Sequence, residues 1–333
     1  MTHNTTRLGL LALGAALFIA GCESETPTEK PASGKPAQIV ATPDFNADSA
    51  YRYIADQVEF GPRVPGTDAH RACGDYLIAQ LERFGADVIV QQSTVTAWDG
   101  TQLPMRNIIG QYRPDKRKRI MLYAHWDTRP YADKDSTRTK EPIDGANDGG
   151  SGVGVLLEVA RQLGKTPPEV GVDIVLFDVE DYGPPEWADT GEEGYRFWCL
   201  GSQYWAYNKH KPDYRAKYGI LLDMVGSKKA IFNKEGTSMA LAPNIVNHVW
   251  GIAQELGYEE RFRDKITPQT VDDNYFVNYI AGIPSANIVE YHVDVLPMGY
   301  GLFHHTHLDN MSIIDTATVG MVGHVVLEAV YRE

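Results

Sequence analysis

The chain has 333 residues, 43% of them hydrophobic, and 31 Lys and Arg stand against 44 Asp and Glu, a formal charge of −13. That balance excludes the basic face of a nucleic-acid binder, and the apolar content excludes a chain disordered throughout. Three cysteines are too few for a disulfide scaffold.

At the amino terminus, Arg7 precedes an apolar run, Leu8–Ala20, that ends in Ile19-Ala20-Gly21-Cys22. As a helix the run spans about 20 Å against a hydrocarbon core of about 30 Å, so it suits a signal peptide better than a membrane span. Small residues before Cys22 resemble the lipobox of bacterial lipoproteins. That likeness implies removal of residues 1–21, a lipid anchor on Cys22 and a place in the bacterial cell envelope, facing periplasm or exterior. Residues 22–44 are rich in Pro, Thr, Ser and Glu and read as a flexible tether, leaving 45–333 as one domain.

Within that domain, Tyr51–Phe60 and Ala69–Phe84 carry helical periodicity, and Arg119–Tyr123 is a short apolar run. Gly152–Leu163 reads as a helix. Val172–Val179 and Gly219–Met224 read as buried strands, being β-branched and bounded by turn residues. Asn244–Leu256 and Asp273–Ala281 read as helices, Ser285–Val289 as a strand and Thr316–Val330 as a closing helix. Apolar strands alternating with helices predict an α/β fold, a mostly parallel sheet covered on both faces. Gly183–Gly201 lacks periodicity and reads as a long loop. Cys73 and Cys199 are compatible with a pair or with two buried thiols.

Ligands of such sheets collect beyond the carboxyl ends of the strands. Polar residues stand there repeatedly: His125-Trp126-Asp127 after the first run, Glu180-Asp181 after the second, and Asp223 at the end of the third. Asp148 lies in the glycine-rich stretch before a helix, where tight turns can bring a carboxylate inward. His305 lies in His304-His305-Thr306-His307. Mixed imidazole and carboxylate donors suit Zn2+, and acids gathered on one edge need a compensating cation. The glycine run is no dinucleotide fingerprint, because Val155 stands where the third glycine is required.

The ordered motifs FGPR, AHWDTRP, DGANDGGSGVGVLLEVAR, VLFDVEDYG, FWCLGSQYW, ILLDMVG, VDDNYF and HHTHLDN resemble the M28-type zinc aminopeptidase superfamily. Within it they are most similar to glutaminyl-peptide cyclotransferases. The resemblance covers the chain from about Ala50 to Arg332. It implies a three-layer α/β/α fold, with Asp148, Asp181 and His305 holding a catalytic zinc and Glu180 acting as general acid and base. It implies active-site acids at Asp223 and Asp273, and one zinc acting on peptides or proteins with amino-terminal glutamine. In the two-zinc aminopeptidases of the superfamily, the positions of His125 and Asp223 hold a second metal. This chain departs from relatives at Asp181, where many carry Glu, and at His304, where animal cyclases carry Trp. Trp187 or Trp198 in the long loop, together with His304, then becomes the candidate wall for the substrate.

Overall fold

A computed structural model describes residues 41–294 and 299–333. The expected signal and lipid anchor at Cys22 lie outside the described residues, as does nearly all of the tether. Two helices open the domain, α1 (Ala47–Glu59) and α2 (Asp68–Arg83). Each starts at a side-chain cap, Asn46 accepting from the Ser49 amide at 2.8 Å and Thr67 from the His70 amide at 3.2 Å. Then come β1 (Asp87–Thr96), β2 (Gln102–Tyr112), β3 (Arg119–His125), α3 (Gly150–Lys165) and β4 (Gly171–Phe177). The second half holds α4 (Leu200–Tyr207), β5 (Gly219–Asp223), β6 (Phe232–Lys234), α5 (Gly236–Leu241) and α6 (Pro243–Glu255). It closes with β7 (Phe262–Ile266), α7 (Asp273–Tyr279), β8 (Ser285–Val289) and α8 (Thr316–Tyr331).

Six strands form the central sheet in the order β1-β2-β4-β3-β5-β8. The four from β4 to β8 run parallel, while β2 lies antiparallel to both β1 and β4. Alternation along the strands feeds two cores. Ile120, Leu122, Ile174, Leu176, Ile220 and Ile288 pack on the side of α1, α2, α3, α6 and α8. Met121, Tyr123, Val175, Phe177 and Leu221 point the other way, onto Trp205 of α4 and Val277 of α7. A sheet buried on both faces is the physical reason its strands read as unbroken apolar runs.

The sequence reading leaves Asp87–Tyr112 unassigned, and the structure makes it the antiparallel pair β1–β2. As the edge strand, β1 is only half-buried and full of Gln, Ser and Thr, which dilutes the apolar signal. The strand read as Val172–Val179 stops at Phe177, and the supposed long loop includes a 3-10 turn, Gly191–Phe197, that leads into α4. Cys73 in α2 and Cys199 at the head of α4 are both buried, and among the described residues neither is in a disulfide.

Because β4, β3 and β5 are parallel neighbours, their carboxyl ends share one edge of the sheet. The chain leaves this edge under backbone strain. Of the seven non-glycine residues with positive φ among the described residues, Val179 (55°), Cys199 (57°), Met224 (49°) and His305 (59°) all touch or adjoin the crevice at that edge. A β-branched residue such as Val179 pays heavily for this region, so the surrounding packing must impose it.

Candidate active site

His125 ends β3 and Asp223 ends β5, while Glu180 and Asp181 follow the strained turn after β4. Asp148 precedes α3, and His305 comes from the loop before α8. Gly149, at φ 84°, allows the close approach on which this convergence depends: a Cβ there would stand 2.6 Å from the Asp127 carbonyl oxygen.

Tetrahedral ligands at about 2.0–2.2 Å from zinc stand roughly 3.3–3.6 Å from one another. His305 Nε2 lies 3.3 Å from Asp181 Oδ1 and 3.9 Å from Asp148 Oδ2. Asp181 Oδ2 is buried without a hydrogen-bond partner, an orphan that a cation would satisfy. Burial first, and then the charge of Asp148, pushes the Asp181 carboxyl above its usual range. Burial would also raise Asp148, but His125, His305 and Arg129 outweigh it and hold that group low. These residues fit zinc.

A second set shares Asp148. His125 Nε2 is 3.1 Å from Asp148 Oδ1 and 3.4 Å from Asp223 Oδ1. His304 also comes within 4.8 Å of Asp148 and His305 by its donor atoms. Its Nδ1 is already 2.6 Å from Lys134 Nζ, whereas Asp181 has a free oxygen, so Asp181 is the better third donor.

Three carboxylates that the sequence reading did not single out as site residues hold the donors in place. Asp127 accepts the backbone N–H of Glu180 at 3.0 Å and of Asp181 at 3.1 Å, and its Oδ1 lies 3.6 Å from His125 Nδ1. Asp309 accepts from the Asn147 and Asp148 amides at 2.7 and 3.0 Å. Asp133, clamped by Arg129 at 2.7 and 2.6 Å, stands 3.5 Å from His305 Nδ1. A carboxylate behind each imidazole is the usual outer support of a metal-binding histidine. The signal for two of them was present in HWD and HTHLDN.

The set opens on a cavity of about 380 Å3, lined also by Glu180, Trp198, Asp272, Tyr300, His304 and Lys134. Glu180 Oε1 accepts from Cys199 Sγ at 3.1 Å. Burial pushes Glu180 well above the usual carboxylate range, with Asp181, Asp272 and Asp273 adding to it against His125. Asp272 faces Glu180, their donor atoms and that of Cys199 lying within 4.8 Å. Its neighbour Asp273, the acid expected from the sequence, is fully buried behind the cavity wall, both oxygens without a hydrogen bond, and burial raises it to about 7. Trp198 lies parallel to the His305 ring at 5.9 Å and carries the Arg129 guanidinium 4.8 Å over its face. Trp187 does not line the cavity; it is 48% exposed and packs edge-on against Tyr131.

Residues 107–330 match peptidase family M28. Aminopeptidase YwaD of Bacillus subtilis (strain 168) is 26% identical over 270 residues, 77% of this chain and 51% of that protein. The chain thus spans about half the length of the curated relatives it matches. Among solved structures, a Zn-dependent exopeptidase from Parabacteroides distasonis is 51% identical with a TM-score of 0.85, covering 88% of this chain and 100% of that one. Bacteroides thetaiotaomicron glutaminyl cyclase bound to N-acetylhistamine is 48% identical, also with a TM-score of 0.85 and coverage of 88% and 100%. With more than half its length matched and its strand-end donors fitting zinc, the chain belongs to peptidase family M28.

Proposed function

We propose that the chain is a zinc-dependent glutaminyl-peptide cyclotransferase, converting amino-terminal glutamine of peptides or proteins to pyroglutamate with release of ammonia. The observation that carries this reading is the likeness to three glutaminyl cyclases, 48–49% identical over 98–100% of their chains; a leucine aminopeptidase precursor, 48% identical over 100% of its chain, supports the second reading given below.

In the reaction, the α-amine attacks the side-chain amide carbon, a C–N bond forms, the bond to the amide nitrogen breaks, and no water is consumed. Asp148, Asp181 and His305 would hold one zinc, which when bound supplies Lewis-acid polarisation of the amide oxygen. Glu180, raised by burial, accepts the proton from the attacking amine and returns it to the departing nitrogen. Cys199 fixes one oxygen of Glu180, leaving the other for the substrate. Asp272 and Asp223 line the same cavity and can hold the substrate's ammonium before it loses its proton. Trp198, steadied by its contacts with Arg129 and His305, lines the cavity and bounds the space in which amine and amide meet.

A second reading is an M28-type aminopeptidase using two zincs, and the compact set of His125, Asp148 and Asp223 favours it. Peptides beginning with Gln and with Leu separate the two. Ammonia release and a mass loss of one ammonia from the Gln peptide support the cyclase, while free Leu from the other peptide would replace it with the peptidase. One zinc per chain is expected for the cyclase and two for the peptidase.

Cys22 is proposed as a lipid anchor holding the enzyme to a membrane of the cell envelope, on the periplasmic or outer side. Small residues at Ala20 and Gly21 support this reading. Among the described residues, no helix is long and apolar enough to cross a membrane. Loss of the membrane-bound fraction in Cys22→Ala is the expected result, and unchanged fractionation would refute the anchor.

A further inference from the structure

The cavity changes character from floor to mouth. At its floor Asp148, Asp181, Asp223 and His305 are nearly sealed from solvent. At its mouth stand Tyr195, 40% exposed, and Val271, 41% exposed, with the exposed side chain of Lys134. Among the described residues, Lys134 is the one Lys or Arg that lines the cavity.

Its position is fixed by a run of contacts between three consecutive residues and the histidine loop. Asp133 Oδ1 is 3.5 Å from His305 Nδ1, and the Lys134 amide donates to the His305 carbonyl at 3.3 Å. Asp135 Oδ2 accepts from the His307 amide at 3.1 Å and lies 2.7 Å from His307 Nδ1. Between these clamps, Lys134 Nζ reaches His304 Nδ1 at 2.6 Å, using one of its three N–H groups. No carboxylate of the described residues forms an ion pair with it, although acids crowd the floor of the same cavity. The ammonium is therefore held at the mouth with N–H groups to spare.

Resting on the cyclase reading, we infer that Lys134 selects the residue that follows the amino-terminal glutamine, favouring peptides with Glu or Asp there. A glutamine whose amide meets the metal donors fills the floor, so the next residue leaves through the mouth. There the ammonium meets it, and Tyr195 and Val271 supply no competing charge. The attraction is that of an ion pair at a water-exposed rim, modest and screened by salt.

The test measures kcat/KM of the full chain, loaded with zinc, on Gln-Glu, Gln-Ala and Gln-Lys peptides at low salt. The unaltered enzyme should prefer Gln-Glu over Gln-Lys by about two- to fivefold, the range of an exposed ion pair. The ratio should approach unity in Lys134→Met and invert in Lys134→Glu. A Lys134 that merely steadies His304 would lower all three peptides together and leave the ratio unmoved, and that result overturns the proposal. Ammonia release from none of the glutamine peptides would overturn the cyclase reading itself, and this proposal with it.

Discussion

Glu180 is held from two sides. Its amide is bound by Asp127 and its carboxylate by the Cys199 thiol, while burial keeps its proton affinity high. Replacing it by Gln preserves shape and removes the base, so Glu180→Gln should cut ammonia release by about 10²–10⁴-fold while zinc content, measured by atomic emission, stays unchanged. Full turnover in that variant would take Glu180 out of the reaction. Asp127 acts through others: it aligns Glu180 and Asp181 through their amides and stands 3.6 Å from the ring of His125. Asp127→Ala should weaken zinc binding by about 10–100-fold, read by competition with a chelator. At this scale the donors were legible because each sits at a strand end, a glycine turn or a histidine cluster. Asp133 was not, because it lies in no such motif and its grip on Arg129 and the Glu186 amide is decided by how distant segments meet.

Among the elements, α3 and β5 show how packing sets the site. A Cβ at Gly152 would stand 2.2 Å from the Leu222 carbonyl oxygen, one residue before Asp223. No rotamer relieves a clash with backbone, so Gly152→Ala must push α3 off the sheet. A loss of about 1–3 kcal/mol in urea unfolding is expected, together with weaker zinc binding, since Asp148 leads into α3 and Asp223 ends β5. Unchanged stability would mean that the helix can shift freely. β3 and β5 could be read from sequence because both their faces are apolar-packed. β1 could not, since an edge strand with Gln91, Gln92, Ser93 and Thr94 carries little periodic signal. The turn after β4 defeated the reading of Val179 for another reason: its φ of 55° is imposed by the site against the preference of a β-branched residue for extended backbone.

For the molecule as a whole, a formal charge of −13 is distributed unevenly. Asp148, Glu180, Asp181, Asp223, Asp272 and Asp273 lie around one crevice, and a bound cation would relieve their repulsion. A ligand that binds only the folded state adds about 2.7 kcal/mol when present at a hundredfold excess over its dissociation constant. Chelation should therefore lower the melting temperature, and zinc should restore it; a melting curve indifferent to chelator would argue that no metal is held there. The layered sheet was legible because its apolar runs and strand-end acids recur in one order along the chain. The choice between cyclisation and hydrolysis was not, because both chemistries draw on the same donors and the same Glu180. Oxygen tells them apart most directly. Treated with the enzyme in heavy-oxygen water, a glutamine peptide should lose ammonia and keep its original oxygens, since the amine and not water attacks. Cleavage of the first residue with heavy oxygen in its new carboxylate would contradict the account.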